Sequence, residues 1–425
     1  MKRPLLFGLI LLAFVAGFYK AWQRPSPAPL QPQAFSSPAK GAATLRTRFV
    51  SNSPGPHRHA PSLVELKDGR LRAFWFSGSR EGASDVEIRS AVFDKGQWHA
   101  ETTVIDRSRT QIALSRYVKK LGNPVAARGA DGNLHLYYVT VSLGGWAGSS
   151  VTTMTSSDDG ETWGSPRRLV TSPFINISTL VKGTPIRYAD GSIGLPVYHE
   201  FIAKFGELLR IDGAGQVVDK QRLSHGIAAL QPVVLVRDRE RALVLMRRGG
   251  GGANRVVASS TEDAGRHWAA PVYSTLSNPD AALSAVVLPG GVLLAVVNDI
   301  EADRDALTLV ASTDGGANWR TIYTLEDQLA ARKNPLDGPA YAAAVKALAL
   351  ATDAGLADAN AFAASSVAHM CHGDRCNFEF SYPYLILTAK GDLKLVYTWN
   401  RSFIKHVEFS GEWLAQRLEN HGPAH

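Results

Sequence analysis

The sequence predicts an all-β fold, a six-bladed β-propeller, and three observations carry that prediction. A β-hairpin pattern returns six times, at roughly 50 to 60 residues per copy over most of the chain. A Ser/Thr-x-Asp-x-Gly-x-x-Trp box stands between hairpins three times. The widest interval holds an alanine-rich insertion, and subtracting it restores the common spacing. Hairpin repeats of this period build four-stranded blades, and closing them into a ring leaves no long strand edge open.

Composition agrees with a large folded domain. The chain has 425 residues, 45% hydrophobic and 20% charged, which is neither disordered nor collagen-like. Two cysteines exclude a disulfide-built scaffold, and a single apolar segment excludes a polytopic membrane protein. Lys plus Arg number 46 against 38 Asp plus Glu, a net charge of +8 that favours anionic partners. No basic stripe or stacked-aromatic motif accompanies that charge, so nucleic acid is not an expected partner.

In chain order, Lys2-Arg3 precede the uncharged run Leu5 to Phe18, and Tyr19, Lys20 and Trp22 follow it. This reads as an export signal over residues 1–22, either a cleaved signal peptide or a retained anchor. The missing small-x-small cleavage site and the aromatic anchors favour retention, which puts the protein on the periplasmic face of a membrane; cleavage would release it. Residues 23–43 carry Pro25, Pro27, Pro29, Pro32 and Pro38 and read as an extended linker. The propeller is expected over 44–425.

The hairpins turn at Asp68-Gly69, Asp131-Gly132, Asp190-Gly191, Arg239-Glu240, Gly290-Gly291 and Lys390-Gly391, each between apolar strands. The boxes are Ser156, Asp158, Gly160 and Trp163; Thr261, Asp263, Gly265 and Trp268; and Ser312, Asp314, Gly316 and Trp319. Each needs an Asp to bond its own backbone, a Gly for positive φ and an aromatic to wedge between blades. Asp94-Lys95-Gly96-Gln97-Trp98 reads as a degenerate fourth copy. The insertion, about 326–369, predicts one or two helices. Cys371 and Cys376, close together in an exported chain, predict a small disulfide loop; no metal is expected there, since the spacing with His369 and His372 fits no zinc pattern.

In every hairpin the start of the first strand and the end of the second lie at the end of the blade opposite the turn. That end collects His57, His59, Arg80 and Glu81 from blade one, Asn123 from blade two, and His199 and Glu200 from blade three. Blade four adds Gln231, Arg247 and Arg248; blade five adds Asn278, Asp280, Asn298 and Arg304; blade six adds Tyr382, Asn400 and Arg401. A polar, arginine-rich funnel of this kind suits an anionic sugar.

Between Pro56 and Trp413 the boxes and hairpins resemble the sialidase superfamily, in particular the predicted-neuraminidase branch of bacterial BNR-repeat proteins. The resemblance implies a glycosidase in which three arginines grip the substrate carboxylate and a tyrosine is the nucleophile, because an anion there would repel the substrate. It implies Tyr382, in FSYPYLI, as that tyrosine, Arg247 and Arg304 as two of the arginines, and Asp85 as the acid/base. The chain departs twice. His59-Ala60-Pro61 stands where the first arginine's Arg-Ile-Pro is expected, with Arg58 one place earlier, and Gln231 stands where a glutamate would polarise the tyrosine. An amide cannot accept the phenolic proton, and Glu200 and Glu379 are the carboxylates left for that role. A protonated His59 could bind a carboxylate, and a neutral one could act as base.

Three functions fit. The first is an exported sialidase-like exo-glycosidase for terminal sialic or other acidic sugars. The second is a hydrolase or lyase for uronate polysaccharide, with His59 or His199 as base and Tyr382 as acid. The third is a non-catalytic propeller that binds glycans or helps assemble the envelope. A monomer is expected, and no cofactor is implied; no calcium-loop motif is present.

Overall fold

The computed structural model describes residues 2–22, 28–34, 41–51, 53–172 and 176–419. Six antiparallel sheets follow one another along the chain, each built outward from an inner strand. The inner strands are His57–Glu65, Lys120–Arg128, Ile186–Tyr188 with Leu180–Val181, Ala229–Val236, Ser284–Val287 and Phe380–Leu387, and they adjoin one another around a central channel. The last blade is completed by the N-terminal strand Leu45–Phe49, paired from Leu45↔Phe409 to Phe49↔Lys405. The ring is thus closed by hydrogen bonds between the two ends of the domain.

Local chemistry explains the repeat. Five of the six hairpins share one turn, in which the glycine N–H bonds a carbonyl three residues back: Gly69 to Leu66, Gly132 to Gly129, Gly191 to Tyr188, Gly291 to Leu288 and Gly391 to Thr388. The glycine has φ between 77° and 85°, a region that side chains avoid. The boxes form as the sequence demands. Asp158 accepts from Thr162 Oγ1 (2.6 Å), Thr162 N (2.9 Å) and Ser156 Oγ (2.7 Å), and these bonds hold its carboxyl well below the usual range. Trp163 bonds Gly160 O and sets its ring edge-on to Phe74 of the preceding blade. Asp94 to Trp98 is not a fourth box: Lys95 (φ 47°) and Gly96 (φ 81°) make a two-residue hairpin turn.

The insertion forms three helices, Leu329–Lys333, Gly338–Thr352 and Ala359–Met370. Asp337 and Asp358 cap the second and third. Tyr341, Val345 and Ala349, one face of the second helix, are buried, and Phe362 of the third stacks on Phe403 of blade six at 3.7 Å. The insertion therefore packs on the propeller as part of its core. A short helix, Gly411–Glu419, follows blade six and buries Trp413 and Leu414.

At the N-terminus, Lys2–Trp22 is helical, but no helix among the described residues is long and apolar enough to cross a membrane. The anchor reading gains no support from the structure. Within the linker, 23–27 and 35–40 lie outside the described residues, while 28–34 is docked rather than extended into solvent. Leu30 is buried, Leu30–Gln31 pairs with Tyr188–Arg187 on the channel edge of blade three, and Gln33 Nε2 donates to Leu387 O of blade six at 2.6 Å. This strap crosses the turn end of the channel.

Candidate active site

The opposite end of the channel holds the polar residues. Four inner strands share one device there: a residue just before a proline sits at positive φ inside a bulge. These are Ala60 (51°), Asn123 (44°), Gln231 (50°) and Tyr382 (53°). Asn tolerates this region, whereas Gln and Tyr adopt it at a cost of about 1 kcal/mol or more, a strain characteristic of functional sites. The sequence signal is the recurring X-Pro near each strand start, and its effect is to re-aim side chains.

Tyr382 is the centre. Its hydroxyl lies 3.4 Å from Arg247 Nη1 and 3.4 Å from Gln231 Nε2. Arg304 stands 5.9 Å from the ring centroid, and the His59 ring meets it edge-on at 4.5 Å. Gln231 Oε1 accepts from Arg247 at 3.1 Å, which turns its amide N–H groups toward Tyr382 and Tyr198. The Tyr198 hydroxyl also accepts from Asn123 Nδ2 at 3.2 Å, and burial pushes this phenol well above its ordinary value. Gln231 thus donates to the phenolic oxygen where a glutamate would accept its proton.

Each arginine has an internal carboxylate. Arg247 Nε bonds Asp280 at 2.7 Å, Arg304 bonds Glu379 at 3.4 Å, and Arg401 bonds Glu379 at 2.6 Å and faces Glu81 at 3.7 Å. Burial opposes the charge on Glu379, but Arg401 and Arg304 hold its carboxyl below the usual range. Burial raises Glu200, with Arg247 and Lys204 acting against the shift, so this carboxyl is inclined to hold a proton. Arg401 supplies a third guanidinium beside Arg247 and Arg304. Arg58, by contrast, is fully buried against Glu101 and the carbonyl of Ser402, away from this cluster.

The structure gathers Tyr382, Arg247, Gln231, Asn123, His59, Arg304 and Arg401 into one constellation, with Glu200 close enough to Arg247 to feel its charge. Arg80 and Glu81 line an adjoining cavity of about 780 Å³. Two candidates stand apart. His199 stacks on Phe205 at 4.7 Å, its cross-strand partner at the end of two blade-three strands. Asp85 is exposed, and its oxygens accept from Ser79 N and Oγ at 2.9 and 3.0 Å, closing its own loop. Cys371 and Cys376 are disulfide-bonded beside the same cavity. Among the described residues no group of three or more His, Cys, Asp or Glu side chains is gathered as metal ligands are.

Sequence reasoning missed Lys182. It is 3% exposed, its Nζ donates to Pro61 O at 2.7 Å, and it lies 4.9 Å from the Tyr384 ring centroid and 5.7 Å from that of Tyr382. Burial without a carboxylate partner pulls its pKa down to about 7. The available signal was a lone charge in Leu180-Val181-Lys182, just ahead of Thr184-Pro185.

Comparison with known proteins fits this geometry. Residues 69–395 match the family described as BNR repeat-like domain. No curated protein matches the chain. Among solved structures it is similar to the Hadza microbial sialidase Hz136, with 16% identity and a TM-score of 0.60 over 83% of this chain and 66% of that one. It is similar to a protein of unknown function from Dyadobacter fermentans (12% identity, TM-score 0.59, 86% and 99% covered). A third is the intramolecular trans-sialidase from Ruminococcus gnavus (12%, 0.56, 84% and 95%). With most of its length matched, the chain belongs to the BNR repeat-like domain family, and its fold is similar to that of the sialidase and trans-sialidase structures.

Proposed function

We propose that the protein is an exported exo-glycosidase of the sialidase type, acting on a terminal sialic or related acidic sugar. The observation that carries this reading is the Tyr382 hydroxyl in its strained bulge, set against Arg247 and Gln231 with Arg304 at its ring. The arginines bind the sugar carboxylate. Tyr382 loses its proton to solvent, and the developing phenolate is held by the Arg247 guanidinium and the Gln231 N–H. The phenolic oxygen then bonds the anomeric carbon as the glycosidic C–O bond breaks, and Glu200 gives its proton to the leaving oxygen. Water reverses the sequence: it returns a proton to Glu200, attacks the same carbon and frees Tyr382. The fold likeness to sialidases supports the sugar class, and the basic start with its apolar run supports export.

The test is fluorophore release from an aryl sialoside by the full chain, over about pH 5 to 8. Turnover that Tyr382→Phe abolishes supports the reading. Glycan binding without turnover in the wild type would make the propeller a binding module.

A second reading has one observation in its favour: His59 is fully buried, kept neutral by burial and nearby Arg401, and in edge contact with Tyr382. A neutral imidazole beside a phenol suits proton abstraction from a uronate. Loss of uronide turnover in His59→Ala, with the sialoside inert in the wild type, would establish it.

A further inference from the structure

We propose that the funnel rim over blade two and its neighbours is a docking surface for an anionic lipid membrane. The inference goes beyond the glycosidase reading and does not depend on what Tyr382 does. Among the described residues outside the N-terminal helix, seven large apolar side chains are more than half exposed. Six of them, Ile112, Tyr117, Leu143, Val170, Phe201 and Ile202, belong to connections at the funnel end. Strand register fixes that end. Asp106 pairs with Glu87, itself opposite Ser77, so the helix Arg107–Leu114 and then Tyr117 follow at the funnel end of blade one's outer strand. Lys120 pairs with Val141 just before Leu143, Arg168 runs past Thr152 toward Val170, and His199 pairs with Phe205 around Phe201 and Ile202. Ile202, Ile112 and Leu143 are 85%, 77% and 76% exposed. Single surface hydrophobics are ordinary, but a collection on one side of one end marks an interaction site.

The charge on the same connections selects the partner. Residues 107–122, 142–148, 168–172 and 199–204 carry seven arginines and lysines against one carboxylate, Glu200, which feels Arg247 inside the funnel. Most of the chain's net charge of +8 is therefore gathered here. Arg109 is spent on Asp106, and Arg107 on the carbonyls of Ser84 and Val118. Others are held by neutral groups: Arg116 Nε donates to Ser142 Oγ at 2.7 Å, Lys119 Nζ to Gly144 O at 3.4 Å, and Lys120 Nζ lies 4.5 Å from the Trp146 ring centroid. Burial lowers Lys120, with Lys119 adding to the shift and Glu81 opposing it, and burial lowers Arg168, with Arg116 adding to the shift. These cations crowd one another and are left to meet an outside anion.

The apolar tips decide which anion. A soluble acidic glycan would use the cations and leave the aliphatic side chains in water, and a protein interface gathers its apolar area into one core from which lysine is depleted. Here the tips stand on four separate connections with cations between them. That arrangement suits headgroup level, where aliphatic side chains reach the acyl boundary while lysines and arginines meet anionic headgroups. Because Tyr382 opens at the same end, docking sets the funnel mouth over glycans borne by lipid; that consequence, unlike the docking itself, rests on the glycan reading.

Hydrogen exchange of the full chain, followed segment by segment, tests this on phosphatidylcholine vesicles with and without phosphatidylglycerol. Amides of 111–118, 142–147 and 200–203 are expected to slow severalfold on the anionic vesicles and to be unchanged on phosphatidylcholine alone. Leu143→Ser combined with Ile202→Ser, at exposed positions that leave the core intact, is expected to abolish the slowing. Binding through the N-terminal helix alone leaves these loops at their free rates, so the helix cannot mimic the result. Unchanged exchange on anionic vesicles, equal slowing on uncharged ones, or slowing that survives the double variant overturns the proposal. Equal slowing by dextran sulfate without lipid overturns it too and assigns the rim to soluble polyanions. None of these readings involves turnover, so the role of Tyr382 is decided separately by the sialoside assay.

Discussion

Arg247 reaches the phenolic oxygen of Tyr382 with Nη1 at 3.4 Å while its Nε is tied to Asp280 at 2.7 Å, so the guanidinium is clamped from behind and presented to the tyrosine. A fork held at both ends cannot be replaced by a point charge. Arg247→Lys is expected to lower kcat/KM on an aryl sialoside by about 100-fold, close to the loss in Arg247→Ala. Retention of most activity by the lysine would show that charge alone is used.

Gln231→Glu places a carboxylate where the amide now donates to Tyr382. Ionised above about pH 4.3, it would accept the phenolic proton. Turnover is expected to rise severalfold at pH 6 to 7, roughly, and to fall as pH drops through the new carboxyl's ionisation. Loss of activity at every pH would mean that the N–H donated to the phenolic oxygen is the essential contact.

Lys182 makes stability depend on pH in a definite direction. Its amine is lowered to about 7 in the folded protein, while the unfolded chain holds the proton up to about 10.4. Between these values the unfolded state binds more protons, so stability rises with pH. Lys182→Met removes that term. The variant is expected to gain on the wild type by a difference on the order of 4 kcal/mol at neutral pH, before the lost bond to Pro61 O, and this gain fades as pH approaches 10. Urea midpoints across that range measure it, and a pH-independent difference would refute the assignment.

Acid acts through the histidines. Burial keeps His57, His59 and His406 neutral, and His406 Nδ1 accepts from Trp98 Nε1 at 3.2 Å, which a protonated ring could not do at that atom. The unfolded chain takes up protons near pH 6.5 that these sites refuse, so stability is full above that value and falls as pH drops toward about 3. His406→Asn is expected to flatten part of the slope in urea midpoints between these pH values. An unchanged slope would place the acid sensitivity in other groups.

The blades were legible because their turns are local chemistry: an Asp that bonds its own loop, as at Asp158, and a glycine at positive φ, as at Gly69, leave a mark within a few residues. Tyr382, Arg247 and Gln231 were legible because strand direction alone assigns them to one end. The contents of that end were harder to read. Asp85 follows Arg80 at a familiar spacing yet spends both oxygens on Ser79, and His199 sits at a strand end yet turns to Phe205. Lys182 was overlooked because nothing near it in sequence announces the rings of Tyr382 and Tyr384, which come from another blade. The wall added by the insertion was hidden for the same reason, since Ala-rich helices state their own conformation and not their neighbours.

The strap at Leu30 also gives the molecule a fixed heading. Because Pro29 and Leu30 are bonded to Ala189 and Arg239 at the turn end, the leash to the N-terminal helix must leave from the side opposite Tyr382. The six peptide links from Trp22 to Ala28 can span no more than about 22 Å. The mouth of the funnel, with Tyr382, opens at the end of the channel opposite the one where this strap is docked.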